Sequence, residues 1–146
     1  MSVKIVPEIV FSQGDTQVPS KSLQYKTDEK GKIIEKIKPR TARFEAGLRR
    51  KLKRHVKNSK AFPIKDEVIL VITHGIHSEK KYKKLDLDNR AKTIGDALKE
   101  SILEDDDQIK TLVCNKVFLK DVSKSYYSFS VKIYNKDVEN CVNKMI

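Results

Sequence analysis

Along the chain the spacing of apolar positions changes several times, and each change marks an element. Residues 3 to 11, VKIVPEIVF, are β-rich, and Pro7 confines such a strand to a sheet edge or a bulge. A polar connection, SQGDTQVPSKS, follows. LQYKTDEKGKIIEKIKP then sets two apolar-bearing arms around TDEKGK, a hairpin in which Gly31 supplies the positive φ. From Thr41 to Asn58 the period becomes helical. Phe44, Leu48, Leu52 and Val56 recur every fourth residue on one stripe, and Thr41 is placed to cap the start. Residues 66 to 73, DEVILVIT, are the most apolar run, short and β-branched enough for a central strand. Residues 88 to 102 return to helical spacing, with Ala91, Ile94, Leu98 and Ile102 as the buried stripe and Asp88 as the N-cap. TLVCNKVFLKD and YYSFSVKIYN alternate as two strands about the turn DVSKS, and the tail KDVENCVNKMI fits either a short helix or an irregular end.

The order strand, hairpin, helix, strand, helix, strand, strand predicts an α+β fold: a mixed β-sheet of about four strands with two main α-helices on it. A length of 146 residues suits one domain over 1–146, in which residues 12–40 form a long basic connection and hairpin.

Charge narrows the choice of partner. The formal net charge is +11, which points to nucleic acid first and to an anionic membrane surface second. No run reaches the ~18 apolar residues of a spanning helix. The start, MSVKIVPEIVFSQG, lacks the apolar core of a secretion signal, so a cytoplasmic protein is expected. Cys114 and Cys141 are too few and too far apart for a zinc site and read as reduced thiols. The helix at 41–58 carries Arg43, Arg49, Arg50, Lys51, Lys53, Arg54 and Lys57 against a single acid, Glu45. No alternating salt-bridge pattern explains that face, which fits phosphate contact ahead of a plain solvated surface. The basic hairpin tip fits either a flap on phosphates or a solvated turn.

Against this basic background LDLDNRAKTIGDALKESILEDDDQI, residues 85 to 109, gathers carboxylates. Close carboxylates repel unless a cation sits among them. In an extended segment Asp86 and Asp88 face one side while Leu85 and Leu87 face the core. On a helix starting near Asp88, Lys92 and Asp96 follow on the same face. A helix of ~14 residues is about 20 Å long, so a third carboxylate from Asp105 to Asp107 must return by the following turn and strand. Such an all-oxygen set suits magnesium, which would activate water while Lys92 offsets developing phosphate charge. Each piece also has a plain structural role: Asp88 as a cap, Asp96 paired with Lys92, EDDD as a polar turn. An EF-hand fails because Arg90, Ala91 and Ala97 stand at its oxygen, glycine and glutamate positions. LDLD alone is too short for a glycosyltransferase assignment. His74 and His77 lack zinc companions and read as exposed loop residues, and no glycine-rich loop cradles a nucleotide cofactor.

DLDNRAKTIGDAL followed by DDDQI resembles the D-x-D-N-x-x-K-x-x-x-D-A-L and D-D-x-Q-[IV] signature of RusA-type Holliday-junction resolvases, endodeoxyribonucleases common in prophages and mobile elements. The resemblance implies a homodimer that binds four-way DNA junctions and uses Mg²⁺, with Mn²⁺ as the alternative, to make paired symmetric nicks. It implies Asp86, Asp88 and Asp106 as metal ligands, with Asp107 the alternative to Asp106, and Lys92 as the catalytic lysine. Asn89, Asp96 and Asp105 are implied as supporting residues. The basic residues expected before the first aspartate are present in KKYKK as Lys80, Lys81, Lys83 and Lys84, and with Arg43, Arg49, Arg50, Lys53 and Arg54 they form the candidate DNA-binding set. The chain departs from the family's proline-serine-asparagine segment, having VPSKS at residues 18 to 22. The competing reading is a non-catalytic nucleic-acid-binding module.

Overall fold

The computed structural model describes residues 7–21, 23–37 and 39–146. Its core is a four-stranded sheet in the order β1 (Glu8–Gly14), β6 (Tyr126–Ile133), β4 (Val68–Ile76), β5 (Ile109–Phe118). β4 pairs antiparallel with β6 and parallel with β5, so the sheet is mixed as its alternating and continuous apolar runs predict. β4 is central, and its Val68, Leu70, Ile72 and Ile76 are all buried. β2 (Leu23–Thr27) and β3 (Ile33–Ile37) form the separate predicted hairpin. Gly31 has a φ of 77° at its tip, where Asp28 accepts from the Lys30 and Lys32 amides at 2.9 and 2.8 Å.

Two principal helices cover the sheet. α1 (Pro39–His55) and α3 (Leu87–Leu98) pack together, and Leu48, Leu52, Ala91, Ile94 and Leu98 join Val68, Leu70, Ile72, Phe129 and Val131 in one core. β4 leads to α3 through a six-residue helix, α2 (Glu79–Lys84), that the apolar spacing did not signal because no residue of it is buried. The tail forms α4 (Lys136–Met145), capped by Asn135, whose side chain accepts from the Val138 amide at 3.0 Å.

Several boundaries differ from expectation. The first strand begins at Glu8, directly after Pro7, and runs at the sheet edge where proline costs no ladder bond; positions 3 to 6 of the expected strand lie outside the described residues. Thr41 does not cap α1. The helix starts at Pro39, a favoured first position, and the buried Thr41 hydroxyl donates to the Ser20 carbonyl at 2.8 Å. Asp88 does not cap α3 either: Asp86 holds that place, one residue before the helix. α3 stops at Leu98, and Glu100 adopts a φ of 76°, so Ile102 and Leu103 reach the core from a turn. β4 continues past Thr73 to Ile76, which places His74 inside the sheet, 1% exposed, and not in an exposed loop. His77 is exposed, with Nδ1 2.7 Å from the Ser125 hydroxyl.

Candidate active site and nucleic-acid interface

The acidic motif folds around the start of α3. With the helix beginning at Leu87, the strand-like alternation of Asp86 and Asp88 ends, and the two carboxylates take different surroundings. Asp86 accepts from its own turn, from the Asn89 amide at 3.4 Å and the Asn89 side chain at 2.6 Å. Asn89 is thereby assigned: it fixes the Asp86 carboxylate. Asp88 lies in the first turn, one helical turn before Lys92, and both border a cavity of about 710 Å³ together with Lys21, Asp96 and Asp106. Gly95, Leu70, Ala91, Ile109 and Leu112 supply its apolar wall, and Asp86 is not part of that wall.

The second acidic run arrives as the geometry of a helix demands, by the turn that follows. Asp105 caps a single 3-10 turn, Asp106–Gln108, just before β5. Gln108 holds this turn to the sheet entrance: its amide donates to the carbonyls of Ile64 at 2.7 Å and Asp66 at 3.0 Å, while its oxygen accepts from the Glu104 and Asp105 amides. The glutamine of D-D-x-Q is therefore a brace for the aspartates beside it. Within the brace the Asp105 and Asp106 carboxyls interact. Hydrogen bonding to Asp105 pushes the Asp106 carboxyl up from its ordinary value, and the same bond holds Asp105 down. The cation that the structure places beside this pair is the Lys99 ammonium, 3.6 Å from Asp106.

A chain of ion pairs underlies the cavity. Lys21 binds Glu45 of α1 and stands 2.9 Å from Asp96 of α3; Lys99 lies 3.3 Å from Asp96 and 3.6 Å from Asp106. Burial lowers the Lys21 ammonium, but its bonds to Glu45 and Asp96 and their charges outweigh that and leave it raised. Burial likewise raises Asp96, and the bonds from Lys21 and Lys99 overcome it and hold this carboxyl below its usual value. Asp96 is thus a structural junction, partnered by Lys21 and Lys99 and not by Lys92. Lys21, Glu45 and Lys99 were not legible as site residues, because partners that meet across three elements carry no spacing in the chain.

Among the candidate DNA-binding residues, Arg43, Arg50, Lys53 and Arg54 are exposed on α1, the last three bordering a shallow groove with Lys57. Arg49 is turned inward, donating to the Asp96 carbonyl at 2.8 Å, and so joins α1 to α3. Lys80, Lys81 and Lys84 face a second cavity, while Lys83 pairs with Glu79 at 3.2 Å.

Carboxylate oxygens are the donors that a hard divalent cation takes, so the residues fit such an ion in kind. Among the described residues no three His, Cys, Asp or Glu side chains are gathered closely enough to hold a metal: Asp86 and Asp88 stand at the start of α3, while Asp106 lies 3.6 Å from Lys99 at its other end. No described helix is long and apolar enough to cross a membrane. The family model described as Endodeoxyribonuclease RusA matches residues 12–134, most of the chain. No curated protein matches it.

Proposed function

The chain belongs to the RusA endodeoxyribonuclease family and is a Holliday junction resolvase, an enzyme of a metal-dependent kind that acts on branched DNA; on that premise we propose how this chain performs the reaction. Asp86, Asp88 and Asp106 would hold Mg²⁺, drawn together on the ion, with Asn89 orienting Asp86 and Asp105 bracing Asp106. Bound there, Mg²⁺ would supply Lewis acidity toward a water and the phosphate oxygens. Lys92, exposed beside Asp88, meets the negative charge that develops on the phosphate oxygens. Asp96 and Lys21 keep α3 and α1 in place beneath these groups. A two-fold homodimer presents two such sites to a junction that is itself pseudo-symmetric, giving paired nicks on opposing strands. The protein does this in the cytoplasm, in recombination and repair of the kind that prophages and mobile elements carry out.

The observation that supports this reading is the cavity that Asp88, Lys92 and Asp106 share along one face of α3, on a chain of net charge +11. Purified protein with Mg²⁺ and a synthetic four-way junction should yield paired nicks, EDTA should stop them, and Asp88→Asn should end cutting while junction binding persists. No cleavage by the unaltered protein across junctions, flaps and duplexes would refute the assignment.

A further inference from the structure

A second cavity, about 550 Å³, lies on the other side of the α3 start, between Gln17–Ser20, the first turn of α1, and α2. Arg40, Lys80, Lys81, Lys84 and Arg90 border it, and no carboxylate does. None of these five takes part in an ion pair among the described residues. Five positive side chains around one hollow repel one another, which an anion between them reverses. Arg90 is the deepest. Its Nε is buried without a hydrogen-bond partner among the described residues, and its Nη1 reaches the Asp86 carbonyl only at 3.5 Å, the outer limit of a bond. A planar guanidinium with unused donors, next to a second arginine, matches the oxygens of a phosphate.

The position of the cavity is as informative as its charge. Asp88 and Arg90, two residues apart, point about 200° apart around α3, so the basic cavity and the carboxylate cavity flank the same helical turn. One stretch of chain walls both: Gln17–Ser20 border the first and Lys21 the second. That wall is fixed to the helices, since Thr93 donates to the Pro19 carbonyl at 2.9 Å, Thr41 to Ser20 at 2.8 Å, and the Lys21 amide to Asn89 at 3.1 Å. We infer that the basic cavity is a phosphate-binding subsite in which Arg40 and Arg90, with Lys80, Lys81 and Lys84, hold a backbone phosphate of the DNA strand and so lead its neighbour across the α3 start to Asp88. The identity of the occupant rests on the nuclease reading; the affinity for phosphate rests on the cavity.

The test is junction binding over a range of salt, measured in EDTA so that no cutting enters. Arg40→Gln/Arg90→Gln should weaken binding about tenfold or more and reduce the slope of log K against log salt by about one, the loss of one phosphate contact. Lys120→Gln/Lys144→Gln removes the same charge from exposed positions outside both cavities and should leave the slope unchanged. An unaltered slope in the arginine pair, or an equal loss in the control pair, overturns the subsite. So does a cavity that binds inorganic phosphate, loses it in the arginine pair, and leaves DNA affinity untouched, because the occupant is then a free anion. Should the arginine pair fail to fold, Lys80→Gln/Lys84→Gln on the exposed side of α2 is read by the same criteria. Because these measurements contain no metal, a failure of the unaltered protein to cut DNA counts against the nuclease reading and leaves their outcome standing.

Discussion

The Lys21 ammonium lies 2.9 Å from the Asp96 carboxylate and is bonded to Glu45 as well, so a residue of the polar connection ties α3 to α1. The side chains of Lys21 and Glu45 are 14% and 9% exposed, and charge so far from water depends on its partner. Lys21→Ala should therefore lower the unfolding free energy by about 3 kcal/mol, near the lower end for a broken buried pair. Lys21→Met/Glu45→Leu should lose less, because no buried carboxylate is then left bare and Asp96 keeps Lys99. Urea unfolding of the two variants checks this; equal losses would mean that Lys21 and Glu45 are not coupled.

Stability should fall with acid in two stages. Burial, with a smaller contribution from the charge of Arg90, lowers His74 from 6.5 to about 4. A folded pKa below the unfolded one means that the unfolded chain takes the proton first, so this stabilisation is present above pH 6.5 and is lost as pH falls toward 4. For a group 1% exposed the loss is on the order of 3 kcal/mol. Asp96 acts lower: its depressed carboxyl contributes above the usual carboxylate range and loses that contribution as pH drops through its folded value. His74→Leu should flatten the first stage and Asp96→Asn the second, as read from urea midpoints between pH 7 and 3.

The pairing of β4 with β6 sets a steric prediction. Gly75 stands opposite Tyr126, and a Cβ added there would overlap the tyrosine ring. Gly75→Ala should cost about 1–3 kcal/mol, as forced overpacking does. Tyr126→Ala in the same chain removes the obstacle, so a double-mutant cycle in urea should show favourable coupling between the two changes. Additive losses would mean that the ring moves aside freely.

The parts of this protein that follow a period were legible in its sequence, and the parts that depend on meetings between distant residues were not. The stripes Phe44, Leu48, Leu52 and Ala91, Ile94, Leu98, and the alternation of β6, repeat at the spacing of their elements and placed the helices and the sheet. Helix starts differ by two residues because Asp86 and Asp88 carry the same capping carboxylate, and because Pro39 and Thr41 are both signals of a helix start, the first by its fixed φ and the second by its hydroxyl. His74 was misplaced because its strand runs on into HGI, where the glycine and histidines resemble a loop. Lys21, Glu45 and Lys99 remained invisible because an ion pair between elements leaves no local trace. Even Gln108, which the acidic motif includes, shows its bracing role only when Ile64 and Asp66 are seen opposite it.

The two lysines of the carboxylate cavity should separate chemistry from architecture. Lys92 is exposed, has no ion-pair partner among the described residues, and borders the cavity one helical turn from Asp88. Its ammonium is free to meet charge on a bound phosphate, an interaction strongest when the bond is breaking. Lys92→Gln should thus lower the single-turnover cleavage rate with Mg²⁺ by about 10²–10³, as loss of one preorganised charge-stabilising donor does. Its junction affinity in EDTA should stay near the unaltered value, and its unfolding free energy within about 0.5 kcal/mol, as for other exposed positions. Lys21→Met should do the reverse in one respect, lowering stability before it lowers the rate, because its charge is already committed to Glu45 and Asp96. If Lys92→Gln cuts at the normal rate, the charge on the departing oxygens is met by another group, and the exposed lysine of α3 has no part in the reaction.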